Sequence, residues 1–163
     1  MIVIGQMLLA ALVLGTAAAV LGTGRVTIPL VASTTLIWIW IPVVQLLTGL
    51  LLVRGARLPP SEALTRYFET GRYWSGWLLL FTVVLLLAPR PFAIIDWALA
   101  TALIPAVLTT RALTRTVREV CGVSERSARR RALVHQAITH TILLLYFGWA
   151  VALWPRLAVL VRS

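Results

Sequence analysis

Residues 111–131 read RALTRTVREVCGVSERSARRR, and this stretch separates two long apolar runs. Seven of the fifteen basic residues of the chain fall in it, against only two acids, Glu119 and Glu125. A strongly basic segment between hydrophobic segments is typical of a loop held on the cytoplasmic side of a membrane. Because the side of this loop sets the direction of every other segment, the stretch decides the fold.

The composition excludes an ordinary soluble domain. Of the 163 residues, 60% are hydrophobic and only 12% are charged, and the net charge is +10. The arginines lie in short segments beside apolar runs, a placement that favours anionic lipid headgroups over nucleic acid as the partner. The single cysteine, Cys121, excludes a disulfide within the chain. We therefore expect an all-α polytopic membrane protein that binds no nucleic acid.

The apolar runs predict five transmembrane helices. They cover residues 1–21, 27–53, 73–88, 92–110 and 134–154. The segments 54–72 and 111–133 then lie on one side of the membrane and contain eleven of the fifteen arginines. The positive-inside rule makes this side cytoplasmic. The sequence thus predicts a single five-helix transmembrane bundle with an inward N-terminus and an outward C-terminus, in the bacterial cytoplasmic (inner) membrane.

Two stripes of small residues predict close helix packing. Ala11, Gly15 and Ala19 recur at intervals of four in the first run, and the fourth run carries a similar stripe at Ala98, Ala102 and Ala106. Small side chains allow helix backbones to approach closely inside a bilayer. We expect the partners of these stripes to be other transmembrane helices, within the chain or in a homo- or hetero-oligomer.

The segment 54–72 predicts a short amphipathic helix. Pro59 and Pro60 interrupt the chain, and Ser61 is a candidate cap for a new helix. Leu64, Tyr67 and Phe68 then fall on one face. Such a helix is expected to lie on the membrane surface with its apolar face toward lipid.

The segment 111–133 predicts a second amphipathic helix, which Gly122 ends, and then a third helix, without a predicted amphipathic face, that Ser124 caps. Leu113 and Val117 share one face of the first of these helices, opposite its arginines. The third helix continues into the last span. The residues predicted to bind anionic lipid or a partner are Arg111, Arg115, Arg118, Arg129, Arg130 and Arg131.

Polar residues inside the runs are candidates for a second kind of site. Asp96 lies near the start of the fourth span, and Gln45 and Thr48 follow Pro42, which lacks the N–H of a helical hydrogen bond. These residues leave open a small transporter or channel subunit with a polar cavity. The alternatives are a structural anchor for Asp96 and hydrogen bonding between helices for the other two.

His135 and His140 leave a third function open, a subunit that binds haem or chlorophyll for electron transfer. Their spacing of five residues places them ~140° apart on a helix, so they cannot hold one metal ion together. Each is more simply explained as a hydrogen-bonding group between helices, and we predict no cofactor. No HExxH, GxSxG or glycine-rich phosphate motif occurs. We accordingly expect a non-enzymatic accessory or structural subunit.

The C-terminal half resembles the later part of the Yip1 domain. The pattern is an apolar span from Trp97, a basic stretch, the turn Gly122-Val123-Ser124, and then Ala128 and Ala132 before a last span. The DLYGP-like and Gly-Tyr motifs of that family are absent. The resemblance covers roughly the last seventy residues. It implies five spans with a cytosolic N-terminus and a membrane-organising scaffold, and it assigns no functional residue.

Overall fold

A computed structural model of the protein describes residues 2–87 and 95–160. This part of the chain is helical and contains no strand, which confirms the all-α prediction. The helices are α1 (Ile2–Thr23), α2 (Ile28–Leu52), α3 (Pro60–Glu69), α4 (Arg72–Leu87), α5 (Ile95–Thr101), α6 (Leu103–Cys121) and α7 (Glu125–Leu160).

The small-residue face of the first run packs against α2, as predicted. Ala11 and Ala19 are buried. A Cβ atom at Gly15 would lie 2.7 Å from the backbone nitrogen of Thr35, so only glycine allows this approach. The hydroxyl of Thr34 donates a hydrogen bond to the Gly15 carbonyl oxygen over 2.8 Å. The close contact therefore also brings a polar side chain of α2 onto the backbone of α1.

The buried apolar core lies at the end of the bundle that carries the two basic segments. It takes residues from the end of α2, from α3, from α6 and from the start of α7. Its members are Leu52, Val53, Ala63, Tyr67, Leu113, Val117, Val120, Cys121, Ala128 and Ala132. The two basic segments thus fold into a packed helical head; we call it the basic head, residues 54–72 and 111–133.

The basic head corrects the prediction for the amphipathic helices. The apolar face of α3 does not lie toward lipid, because Ala63 and Tyr67 are buried within the protein. An amphipathic pattern indicates only that one face of the helix is removed from water. A neighbouring helix can cover that face as well as a bilayer can. The proposed cap at Ser61 is also wrong, since α3 begins at Pro60 after Pro59, with no side-chain cap.

The helix ends predicted for the second basic segment, at Gly122 and Ser124, agree with the structure, but the apolar face of α6 at Leu113 and Val117 is buried in the core. The helix α6 ends at Gly122, whose left-handed φ of 65° places its N–H on the Arg118 carbonyl oxygen. The N–H of Ser127 donates to the hydroxyl oxygen of Ser124 over 3.4 Å, in the manner of a weak N-cap for α7.

The predicted fourth span, 92–110, is not one continuous helix among the described residues. It divides into α5 and α6 at Ala102, and its start and the turn at 89–91 lie outside the described residues. Pro105 explains the break: it has no N–H to donate to the Thr101 carbonyl oxygen, and its ring crowds that carbonyl. By contrast, α2 continues through Pro42.

The last predicted span, 134–154, is the middle of a longer helix. The helix α7 begins in the basic head at Glu125 and continues to Leu160, past Pro155. The arginines at 129–131 and the apolar run that follows them therefore lie on one continuous helix. Its pairing with α2 includes the rings of Trp38 and Phe147, whose centroids are 5.3 Å apart.

Two stretches in the described residues are long and apolar enough to cross a membrane. One is Ile28–Leu52, and the other, Pro60–Leu87, joins α3 to α4 across the turn at residues 70–71. Met7–Thr23 is a shorter apolar helix. Length and composition thus support membrane crossing for two stretches.

Candidate functional site

Buried polar side chains from α2, α3 and α7 meet beneath the core of the basic head. The Tyr67 hydroxyl lies 3.1 Å from Nε2 of His135, and the Thr139 hydroxyl donates to Oγ1 of Thr48 over 3.1 Å. Thr139 also lies 3.4 Å from Nε2 of His135. We call Thr48, Tyr67, His135 and Thr139 the polar junction. It joins α7 to α2 and α3, across 91 positions between Thr48 and Thr139 and 68 positions between Tyr67 and His135.

The hydroxyl protons of Thr48 and Thr139 are both donated away from His135. Thr48 donates to the Val44 carbonyl oxygen over 2.8 Å, and Thr139 donates to Oγ1 of Thr48. The Tyr67 hydroxyl donates to Nε2 in one tautomer of the His135 ring and accepts from Nε2–H in the other. Nδ1 is buried and has no hydrogen-bond partner among the residues that the structure describes.

Close packing holds the Tyr67 ring in this position. A Cβ atom at Gly49 of α2 would lie 2.5 Å from Cε1 of Tyr67, so the ring lies flat against the bare backbone. The ring of Tyr67 also meets that of His135 edge to face, with centroids 5.4 Å apart. The sequence predicted Tyr67 only as part of an apolar face. Nothing in the local sequence indicates that its hydroxyl would bond to His135.

The predicted binding arginines do not form one surface. Arg111, Arg115, Arg118 and Arg129 line a groove between α6 and α7, with a volume of about 700 Å³. We call it the α6–α7 groove. Its charge is partly compensated, because Nη1 of Arg118 lies 3.5 Å from a carboxylate oxygen of Glu125.

Arg130 and Arg131 lie on the other side of α7, together with Arg54 from the end of α2. They line a second groove of about 560 Å³, the α2–α7 groove, which reaches His135 and Thr48 of the polar junction. Successive residues on a helix are about 100° apart, which is why 129 and 130–131 separate. The sequence prediction missed Arg54 because α2 and α7 are distant along the chain.

The residues proposed for a transport cavity are not brought together. Asp96 is exposed on α5, which packs on α6. Thr48 is buried in the polar junction, while Oε1 of Gln45 is buried without a hydrogen-bond partner among the described residues. Thr48 therefore acts as a hydrogen-bonding group between helices, as the alternative interpretation predicted.

The two histidines have separate surroundings. His140 pairs its Nδ1 with the Gln136 carbonyl oxygen at 2.7 Å, and its ring lies 5.1 Å from that of Trp74 on α4. His135 belongs to the polar junction. In residues 2–87 and 95–160, no three or more His, Cys, Asp or Glu side chains are grouped so as to hold a metal ion.

We expect Tyr67→Phe to lower the free energy of unfolding by about 1–2 kcal/mol, because Nε2 of His135 loses its closer partner in a buried site. Thermal unfolding of the purified protein in detergent, followed by circular dichroism, measures this change. Tyr73→Phe is the matched control, since its hydroxyl accepts a hydrogen bond from the exposed Arg72 over 3.0 Å rather than from a buried group. Equal destabilisation by both substitutions would contradict the role of the polar junction.

Comparison of the chain with family models, with curated proteins and with solved structures finds no match, so the resemblance to the Yip1 domain stays a prediction.

Proposed function

We propose that the chain is a non-enzymatic integral membrane protein that crosses the bacterial cytoplasmic membrane five times, with its N-terminus inside. In this proposal it is an accessory or membrane-organising subunit. The crossings are α1, α2, α4, the pair α5 and α6, and α7. The basic head then lies at the cytoplasmic surface, where its arginines bind anionic headgroups.

The observation that carries this proposal is the distribution of the arginines over the helices. All eleven arginines of segments 54–72 and 111–133 are exposed, and they surround one apolar core. Charge sorted to one end of a helical bundle is the pattern that membrane insertion produces.

The exposed leucines of the remaining helices support the proposal that lipid surrounds those helices. Leu36 of α2 is 67% exposed, Leu80 of α4 is 65% exposed and Leu144 of α7 is 73% exposed. Large apolar surfaces of this kind are rare on soluble monomers. Lipid chains, and the helices of partner subunits, are the surroundings that such faces accept.

Cysteine labelling tests the proposed topology. The single native cysteine allows a Cys121→Ser background, in which new cysteines are placed one at a time at Ser61, Ser124 and Ser163. With a membrane-impermeant maleimide on intact cells, we expect only Ser163→Cys to react, because the other two lie in the basic head. Both should react after the cells are permeabilised.

Labelling of the two head positions from opposite sides would contradict the five crossings. Labelling of Ser61→Cys and Ser124→Cys in intact cells would contradict the cytoplasmic position of the head. Each outcome rejects the proposed function independently of any lipid measurement.

A further inference from the structure

We propose that the α2–α7 groove is a binding site for one anionic phospholipid, with the phosphate among Arg54, Arg130 and Arg131 and an acyl chain along the apolar wall below them. This inference deepens the proposed function and rests on it, since it needs the basic head at the membrane surface. It assigns a discrete site where the sequence indicated only a general attraction for anionic headgroups.

The first argument is uncompensated charge. Three guanidinium groups line one end of the α2–α7 groove, and no carboxylate lies within 4.0 Å of any of them among the described residues. The other arginine-lined grooves contain acids: Glu125 lines the α6–α7 groove, and Glu69 and Glu119 line a smaller one beside α3. An anion gains most where no carboxylate competes for the arginines.

The second argument is the order of groups along the groove. Below the arginines the wall consists of Leu51 of α2 with Val134 and Ile138 of α7. These three side chains are 69%, 51% and 49% exposed, so the protein itself does not cover them. The groove thus has a charged rim followed by an open apolar wall. A phospholipid has its charged and apolar parts in the same order when its headgroup lies at the membrane surface.

The volume is consistent with such a ligand. At about 560 Å³, the groove lies within the range of ~300–1,000 Å³ that is usual for small-molecule sites. It is open along the exposed apolar wall, so the remainder of the lipid stays in the bilayer. A soluble phosphate would leave that wall uncovered, which is why we assign the site to a lipid.

Native mass spectrometry of the delipidated full-length protein in mild detergent tests this site. Dioleoyl phosphatidylglycerol is titrated against dioleoyl phosphatidylcholine, and we expect one tightly retained phosphatidylglycerol per chain. The variant Arg54→Gln/Arg130→Gln/Arg131→Gln should bind it roughly one hundredfold more weakly, at about fivefold per arginine. The triple Lys variant, which keeps the charge, should retain most of the affinity.

The matched control is Arg111→Gln/Arg115→Gln/Arg118→Gln, which removes the same charge from the α6–α7 groove. It should leave the tightly retained lipid in place. Equal loss in both Gln variants, equal retention of phosphatidylcholine, or equally tight binding of glycerol 3-phosphate alone would overturn the inference. Since cysteine labelling tests topology without any lipid, failure here and failure of the proposed function are distinguishable.

Discussion

Replacing Ala132 with leucine is expected to lower the free energy of unfolding by about 3 kcal/mol, because the core of the basic head has no room for a larger side chain. Ala132 and its neighbour Ala128 are both 0% exposed, where α7 packs in the core with α3 and α6. Three added heavy atoms must displace one of these helices. Denaturant unfolding in detergent, followed by far-UV circular dichroism, measures the loss.

Ala137→Leu is the matched control for this substitution. It makes the same chemical change on the same helix, but Ala137 is exposed, so the change in stability should stay within about 0.5 kcal/mol. The comparison also separates two views of the amphipathic helices. If α3 and α6 lay on the membrane surface, as the sequence alone predicted, they would not cover Ala132. Ala132→Leu would then be neutral, and that result would reject the packed head.

Gly15→Leu is expected to separate α1 from α2 and to cost about 3 kcal/mol or more. A Cβ atom at this position would lie 2.7 Å from both Cα and N of Thr35. These are backbone atoms, which no rotamer change can move away. The hydrogen bond from Thr34 to the Gly15 carbonyl oxygen would lengthen at the same time.

Gly5→Leu provides the control within α1, since no other helix of the described chain comes within 4 Å of a Cβ atom at Gly5. It removes the same helix-weakening glycine and adds the same side chain without a steric conflict. Resistance to protease and the unfolding midpoint in detergent should fall for Gly15→Leu only. A similar fall for both substitutions would mean that α1 does not depend on this contact.

Much of the fold could be predicted because its signals are local. The runs of apolar residues predicted the positions of the long helices, and spacing by four predicted the close contact at Gly15. The left-handed end of α6 at Gly122 follows from the conformational freedom of that one residue. The break at Ala102 also had a local cause in Pro105, although the sequence interpretation treated the fourth run as continuous.

The candidate sites were less predictable because their residues are distant in sequence. Arg54 and Arg130 line one groove only because α2 and α7 lie side by side. Tyr67 meets His135 across 68 positions of the chain. No periodicity within one segment reports such a pairing. The arginines at 129 and 130 are consecutive, but they line different grooves because α6 and α2 pack on different sides of α7.

By itself, the sequence determined an all-helical, highly apolar chain whose arginines are sorted into two segments, because hydropathy and charge are properties of short stretches. Only the tertiary structure decided what the amphipathic faces cover. Burial against α2, α6 and α7 removes the apolar face of α3 from water, and a bilayer would remove it equally well. The hydrophobic effect has no direction, so the choice between lipid and protein depends on which helices the rest of the chain brings alongside.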